Sequence, residues 1–229
     1  MSRMLTAPHR LVSVLGLALG LLVTSLTGCE NDGADELDYS FEIPRGEDFP
    51  TSLSEYGLYQ GPMAELVPAD SVVEYELSSP LFTDYSRKQR LLKLPEGATM
   101  EVVDSLSSTF PEGTVVAKTF YYPFDEADPS QGWRIIETRL LVMRDGDWNV
   151  ATYIWNDAQT DAVLELEGAE TPVSWQSASG QERSTDYEVP SEVACVTCHQ
   201  HEGVASLIGL RPRNLNIDVM RDGEQVNQL

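Results

Sequence analysis

Cysteine and histidine are scarce in this 229-residue chain, with three of each. Cys195 and Cys198 lie three positions apart, and Cys29 sits near the other end. No framework of long-range disulfides can be built from that set, so stability has to come from packing. Basic residues are also few. Fifteen Lys and Arg stand against 37 Asp and Glu, for a formal charge of −22. Such a surface repels phosphate backbones and anionic headgroups, which argues against nucleic acid as a partner. A basic soluble protein remains compatible with it, and so does a charge that serves solubility alone. The longest apolar run, Leu11 to Leu22, falls short of the roughly 20 residues a spanning helix needs. No internal repeat is apparent.

What is present begins with a targeting segment. Arg3 and Arg10 supply a positive start, Leu11 to Leu22 an apolar middle, and Leu26-Thr27-Gly28 small residues before Cys29. The Leu-Thr-Gly-Cys end resembles the lipobox of bacterial lipoproteins. That resemblance implies removal of residues 1–28, diacylglycerol and an amide-linked acyl chain such as palmitate on Cys29, and a periplasm-facing lipoprotein anchored in the cell envelope. Glu30, standing where aspartate would mark inner-membrane retention, favours the outer membrane by the same resemblance. The remaining 13 basic and 37 acidic residues leave residues 29–229 a formal charge of −24. Residues 29–48 are acidic and poor in large apolar side chains, and read as a flexible tether.

Residues 49–188 read as a β-rich domain. A short capped helix is expected near Pro50 to Leu58, with Thr51 or Ser52 as N-cap and Gly57 near its end. Eight strand candidates follow: Ser71 to Ser79, Arg90 to Leu94, Thr99 to Val103, Thr114 to Tyr122, Trp133 to Met143, Asp147 to Trp155, Asp161 to Leu166 and Thr171 to Trp175. Asp145-Gly146 between the fifth and sixth is a hairpin-turn dipeptide. The spacing predicts a mainly β fold, an antiparallel sandwich or barrel with short helices. Gln176 to Glu188, polar and rich in Ser and Gly, reads as a loop. Ser191 is the expected N-cap of a helical turn opening the segment 189–229, and Pro212 is expected to interrupt any helix after it.

Cys195-Val196-Thr197-Cys198-His199 is the pattern of c-type haem attachment. Two thiols on one helical turn reach the two vinyl groups of a porphyrin edge, and the adjacent imidazole turns under the ring to bind iron. One covalent haem c is therefore expected, with His199 as proximal ligand. Three other readings of the residues stand beside it: a dithiol redox pair, a zinc site using His201 as well, and two incidental buried cysteines. His201 is too close to His199 to reach the opposite haem face. A distal ligand would then be Met63, Met100, Met143 or Met220, the last being the only one after the motif, or no strong protein ligand at all. Six-coordinate iron favours electron transfer, whereas an open face binds or activates a small molecule. Arg211 and Arg213 are candidate propionate partners. The cluster Arg87, Lys88, Arg90 and Lys93 reads mainly as pairing with internal carboxylates, with propionate or an acidic substrate as alternatives. Glu137, Asp157 and Asp161 read as hairpin or salt-bridge residues.

LSEYGLY (53–59), YELSSPLFTDYSRKQR (75–90), FPEGTVVAKTFYYP (110–123), IETRLLV (136–142), YIWNDAQTDA (153–162), CVTCH (195–199) and IGLRPRNLN (208–216) together resemble an uncharacterised family of bacterial lipid-anchored c-type haem proteins. Longer members continue past the position of Leu229 into a cytochrome-like region with a second haem. The Phe110 to Lys118 stretch, set before a C-terminal haem motif, is also similar to β-fold cytochromes c′ and their hydroxylamine-oxidising relatives. That likeness implies a haem lying against an antiparallel sheet, five-coordinate iron, and Lys118 as the counterpart of a porphyrin-linked lysine. The expected function is electron transfer by a periplasmic lipid-anchored cytochrome. The alternatives are a haem protein that binds or oxidises a small ligand such as nitric oxide or hydroxylamine, and an accessory partner-binding lipoprotein with a structural haem.

Overall fold

Alternation of side chains along the central strands decides the architecture. In Val115-Val116-Ala117-Lys118-Thr119-Phe120, odd positions turn to one face of a sheet and even positions to the other, and both faces are largely covered. A computed structural model describes residues 49–201 and 204–229; the expected signal peptide of residues 1–28, the expected lipid site Cys29 and the expected tether of residues 29–48 lie outside them. Among the described residues the strands are β1 (Val72–Glu74), β2 (Arg87–Lys93), β3 (Glu101–Val102), β4 (Ser108–Thr109), β5 (Val115–Pro123), β6 (Trp133–Arg144), β7 (Asp147–Trp155), β8 (Ala162–Leu164), β9 (Ala169–Gln176) and β10 (Glu182–Val189). Helix α1 (Glu192–Cys198), β11 (Gln200–His201), β12 (Val204–Ala205), α2 (Pro212–Leu215), β13 (Asp218–Arg221) and β14 (Glu224–Asn227) complete them.

The fold is mainly β and antiparallel. Six strands form one sheet in the order β1-β2-β5-β6-β7-β8, and the others pair as two-stranded ribbons. Among the described residues β1 and β8 remain edges, so the sheet is open and the barrel alternative does not apply. A tight hairpin joins β6 and β7 through Asp145 and Gly146, at φ 54° and 83°. Both signs are those a two-residue turn between twisted strands demands, which is why Asp-Gly occupies it.

One face is covered by residues 49–69. A 3-10 turn, Leu53–Tyr56, starts after Ser52, whose N–H donates to the Glu55 carboxylate at 3.2 Å, and ends on left-handed Gly57. Leu53, Leu58 and Leu66 pack there on Leu91, Ala117, Leu140, Ala151, Tyr153 and Trp155. A chain of neutral groups runs through this layer: Tyr59 Oη to Thr119 Oγ1 at 2.8 Å, Thr119 to Thr138 at 2.8 Å, and Trp155 Nε1–H to Thr138 at 3.0 Å. Asp161 brackets the turn by accepting from Ser54 N–H and Oγ–H.

The other face is shared. At one end the β9–β10 ribbon lays Val173, Trp175, Tyr187 and Val189 on Phe120, Tyr122 and Ile136. At the other end α1 and the segment 207–215 place Cys195, Leu210 and Leu215 on Leu92, Val116, Leu141 and Val150. Three expectations are corrected. Gln176 to Glu188 is no loop: β10 pairs along its whole length with β9, and its outward residues are polar because only Tyr187 and Val189 face the core. Pro212 does not interrupt a helix but opens α2, where its missing N–H costs nothing. The candidates near Ser71 and Thr99 shrink to three and two residues, the second in a separate ribbon with β4.

Candidate functional site

Helix α1 is tied down at its start. Ser191 Oγ accepts from Ala194 N–H at 3.4 Å, and Glu192 N–H donates to the Leu166 carbonyl at 2.9 Å. The chain entering it is confined, since a Cβ on Gly168 would stand 2.8 Å from the Val189 carbonyl oxygen and 2.9 Å from Ser191 N. Cys195, one turn in, is buried beside Thr152 of β7. Burial pushes its thiol pKa up, against a smaller pull from the Arg139 charge. Cys198 closes the helix; its side chain and that of His201 lie outside the described part of the structure.

His199 caps α1, donating its N–H to the Cys195 carbonyl at 3.0 Å. Its imidazole is oriented by the chain that follows: Nδ1 lies 3.2 Å from the Ser206 carbonyl, and Ser206 N–H returns a bond to the His199 carbonyl at 2.6 Å. With Nδ1–H donating to Ser206, Nε2 keeps a free lone pair, the arrangement by which proteins orient metal-binding imidazoles. Burial is the main reason its pKa is lowered; the Ser206 bond opposes this, and the charges of Lys118 and Arg139 add to it. The neutral ring is the ligating form.

His199 lines a cleft of about 300 Å³ between the sheet and the segment 207–214. Val116, Leu141, Leu207 and Leu210 give it apolar walls. Its floor also carries Arg90, Lys118 and Arg139, paired across β2, β5 and β6 in one row. Arg139 is held by Glu137, with Nε to Oε2 at 2.8 Å, and the fully buried Glu137 also accepts from Tyr187 Oη–H. The Arg139 guanidinium and the Lys118 ammonium lie over the Phe120 ring at 4.4 and 4.8 Å. Burial, then the charges of Arg90, Arg139 and Lys88, bring the Lys118 amine down to about 8.

The other candidates distribute as follows. Arg211 donates from Nε to the Leu207 carbonyl at 3.3 Å, and Arg213 is exposed on α2. Met220 stands on β13, 67% exposed; Met100 and Met143 pack around the Val116–Leu141 cluster, and Met63 packs under the opposite face. Among the described residues, no carboxylate stands at salt-bridge distance from the Arg87, Lys88, Arg90 and Lys93 cluster. Lys93 Nζ donates to the Tyr56 and Gly57 carbonyls, and the salt bridges among the described residues are Arg134–Asp157 and Arg139–Glu137. Arg139, Glu137 and Tyr187 were not anticipated as a unit. The signal was the alternation in Glu137-Thr138-Arg139-Leu140-Leu141, which turns two charges toward the same covered face as Leu141.

The chain matches no protein-family model, no curated protein and no solved structure.

Proposed function

We propose that this chain is a c-type haem protein of the bacterial cell envelope, with one haem joined to Cys195 and Cys198, His199 as axial ligand, and a role in electron transfer. The observation that carries the reading is the setting of His199. Its Nδ1 is engaged by Ser206, its ring lines an apolar-walled cleft, and Cys195 lies one helical turn before it, against the same sheet. A single oriented imidazole in a slot with apolar walls suits a metal that brings its own ring of equatorial ligands.

When bound, haem c supplies a one-electron iron couple. The chain's own residues do the rest. Cys195 and Cys198 would tether it, Ser206 would fix the imidazole tautomer, and Val116, Leu141, Leu207 and Leu210 would exclude water. Arg90, Lys118 and Arg139 place positive charge under the site, which favours the reduced state. Leu81, which lines the cleft, is 73% exposed, an apolar contact for a redox partner. The acidic surface suits a basic partner. The leader would export the chain, and a lipid on Cys29 would then hold this domain at a periplasmic membrane face, with the outer membrane favoured.

One observation favours a second reading, a haem that binds or oxidises a small ligand such as nitric oxide or hydroxylamine. Among the described residues lining the cleft there is no methionine and no second histidine; Lys118 and Arg139 stand there instead. The spectrum of ferrous protein purified from a host that attaches haem c separates the two. A low-spin spectrum unmoved by carbon monoxide supports the electron carrier, and a carbon monoxide-induced shift supports the ligand-binding reading. The haem assignment itself fails if no pyridine haemochrome forms, or if Cys195→Ala and Cys198→Ala both retain the covalent haem fully.

A further inference from the structure

We propose that Arg90 and Lys118 form an anion subsite inside the His199 cleft, built to hold a carboxylate or a small oxyanion. The inference deepens the haem reading and rests on it for its main readout. Arg90 pairs across the sheet with Lys118, and Lys118 with Arg139. Neighbouring strands stand about 4.8 Å apart, so three cations are set within about 10 Å on the floor of one cavity. Like charges directly opposite one another weaken a sheet, and desolvation adds to the cost. Arg90 keeps only 9% of its exposure. This occurs in a chain with 37 acidic residues and 15 basic ones, where carboxylate partners are in excess.

The row is not uniform. Arg139 is answered by Glu137. Among the described residues, Arg90 and Lys118 meet no carboxylate at salt-bridge distance and donate no hydrogen bond to a protein acceptor. Among the described residues, the Lys118 ammonium rests on the Phe120 ring face. The side chains of both line the cleft, so an anion entering it offsets the repulsion and the lost hydration at once. Two sources share that chemistry. Cys195 lies beside Thr152, which occupies the β7 end of this row, and Arg90 lies three strands away, about 14 Å. A carboxylate at the far edge of a group tethered at Cys195 would be answered by Arg90, and a free anion entering the cleft by Lys118.

The test uses the haem-loaded protein, with azide as the probe. Azide affinity of the ferric form is read from the Soret band, and the midpoint potential by redox titration, in wild type, Arg90→Gln, Lys118→Gln and the surface control Arg134→Gln. A free-anion subsite predicts a roughly tenfold loss of azide affinity in Lys118→Gln, restored by Lys118→Arg. A propionate subsite predicts unchanged azide affinity and a lowered potential in Arg90→Gln, restored by Arg90→Lys. Thermal melts of the charge-keeping variants separate either effect from misfolding. Wild-type affinity and potential in both Gln variants would overturn the subsite. If wild type carries no covalent haem, the haem reading fails by itself. The subsite is then read by calorimetric titration of the same protein with azide: binding lost in Lys118→Gln supports it, and no binding overturns it.

Discussion

The two faces of the central sheet are made from the same strands and treat their polar groups in opposite ways. Under residues 49–69, Tyr59, Thr119, Thr138 and Trp155 are neutral and bond to one another, and the aliphatic side chains around them are sealed. On the other face, one residue along each strand, Arg90, Lys118 and Arg139 are charged and open into a cleft beside His199. The first arrangement gives each of those four groups a hydrogen-bond partner. The second keeps cations in a low-dielectric setting, where their fields act strongly on whatever enters. A β-strand can serve both ends at once because its side chains alternate. Both faces carry packed apolar clusters, and on the second the cleft interrupts that packing beside His199.

The largest test of this division concerns the ion pair that braces the open face, Glu137 with Arg139. Glu137 is fully buried and is held by Arg139 and Tyr187, the latter from the β9–β10 ribbon. Glu137→Gln leaves Arg139 without its counter-charge and should destabilise the fold by about 3–5 kcal/mol. Denaturant melts should recover part of that loss in Glu137→Gln combined with Arg139→Met. If the single variant melts like wild type, the open face does not depend on this pair. A smaller contrast uses adjacent residues on opposite faces. Leu140 is sealed in the neutral layer, and Leu141 borders the cleft. Leu140→Ala should cost about 3–4 kcal/mol, because it opens a void with no solvent route. Leu141→Ala should cost about half that, because its neighbours already face open space. Equal losses in the two melts would erase the distinction between the faces.

How much of this was readable in the sequence follows the same divide. Local chemistry was legible. Asp145-Gly146 announced the β6–β7 hairpin, Ser191 the start of α1, and the Cys-x-x-Cys-His spacing the candidate site. Each depends on residues within a few positions of one another. β10 was hidden because only Tyr187 and Val189 turn inward, and two apolar residues do not make a visible period. The cationic row was hidden for a different reason. Arg90, Lys118 and Arg139 sit on three strands, and alternation assigns each to a face without saying which positions stand opposite. Register fixes that, and register comes from pairing over the whole sheet, with a shift between Phe120 and Tyr121 that the sequence does not advertise.

The smallest expected effect lies where the sealed and open regions meet, at the start of the helix that carries Cys195. Glu192 is 4% exposed, its Oε1 has no hydrogen-bond partner among the described residues, and burial, helped by the Glu167 charge, pushes its carboxyl up to about 7 from an ordinary 4.5. A carboxyl raised in the folded state binds its proton more tightly there than in the unfolded chain. It therefore imposes no penalty below about pH 4.5; stability falls as pH rises from there, and the full penalty stands above about pH 7. Glu192→Gln should match wild type at pH 4, draw ahead through that window, and hold a lead of about 1–2 kcal/mol at pH 8, less than the bare shift implies because the helix N-terminus favours the charge. Thermal melts across pH 4–8 read this directly. A parallel pair of profiles would mean that the helix bearing Cys195 is seated without cost, and that the open face, like the sealed one, is packed for stability at this point.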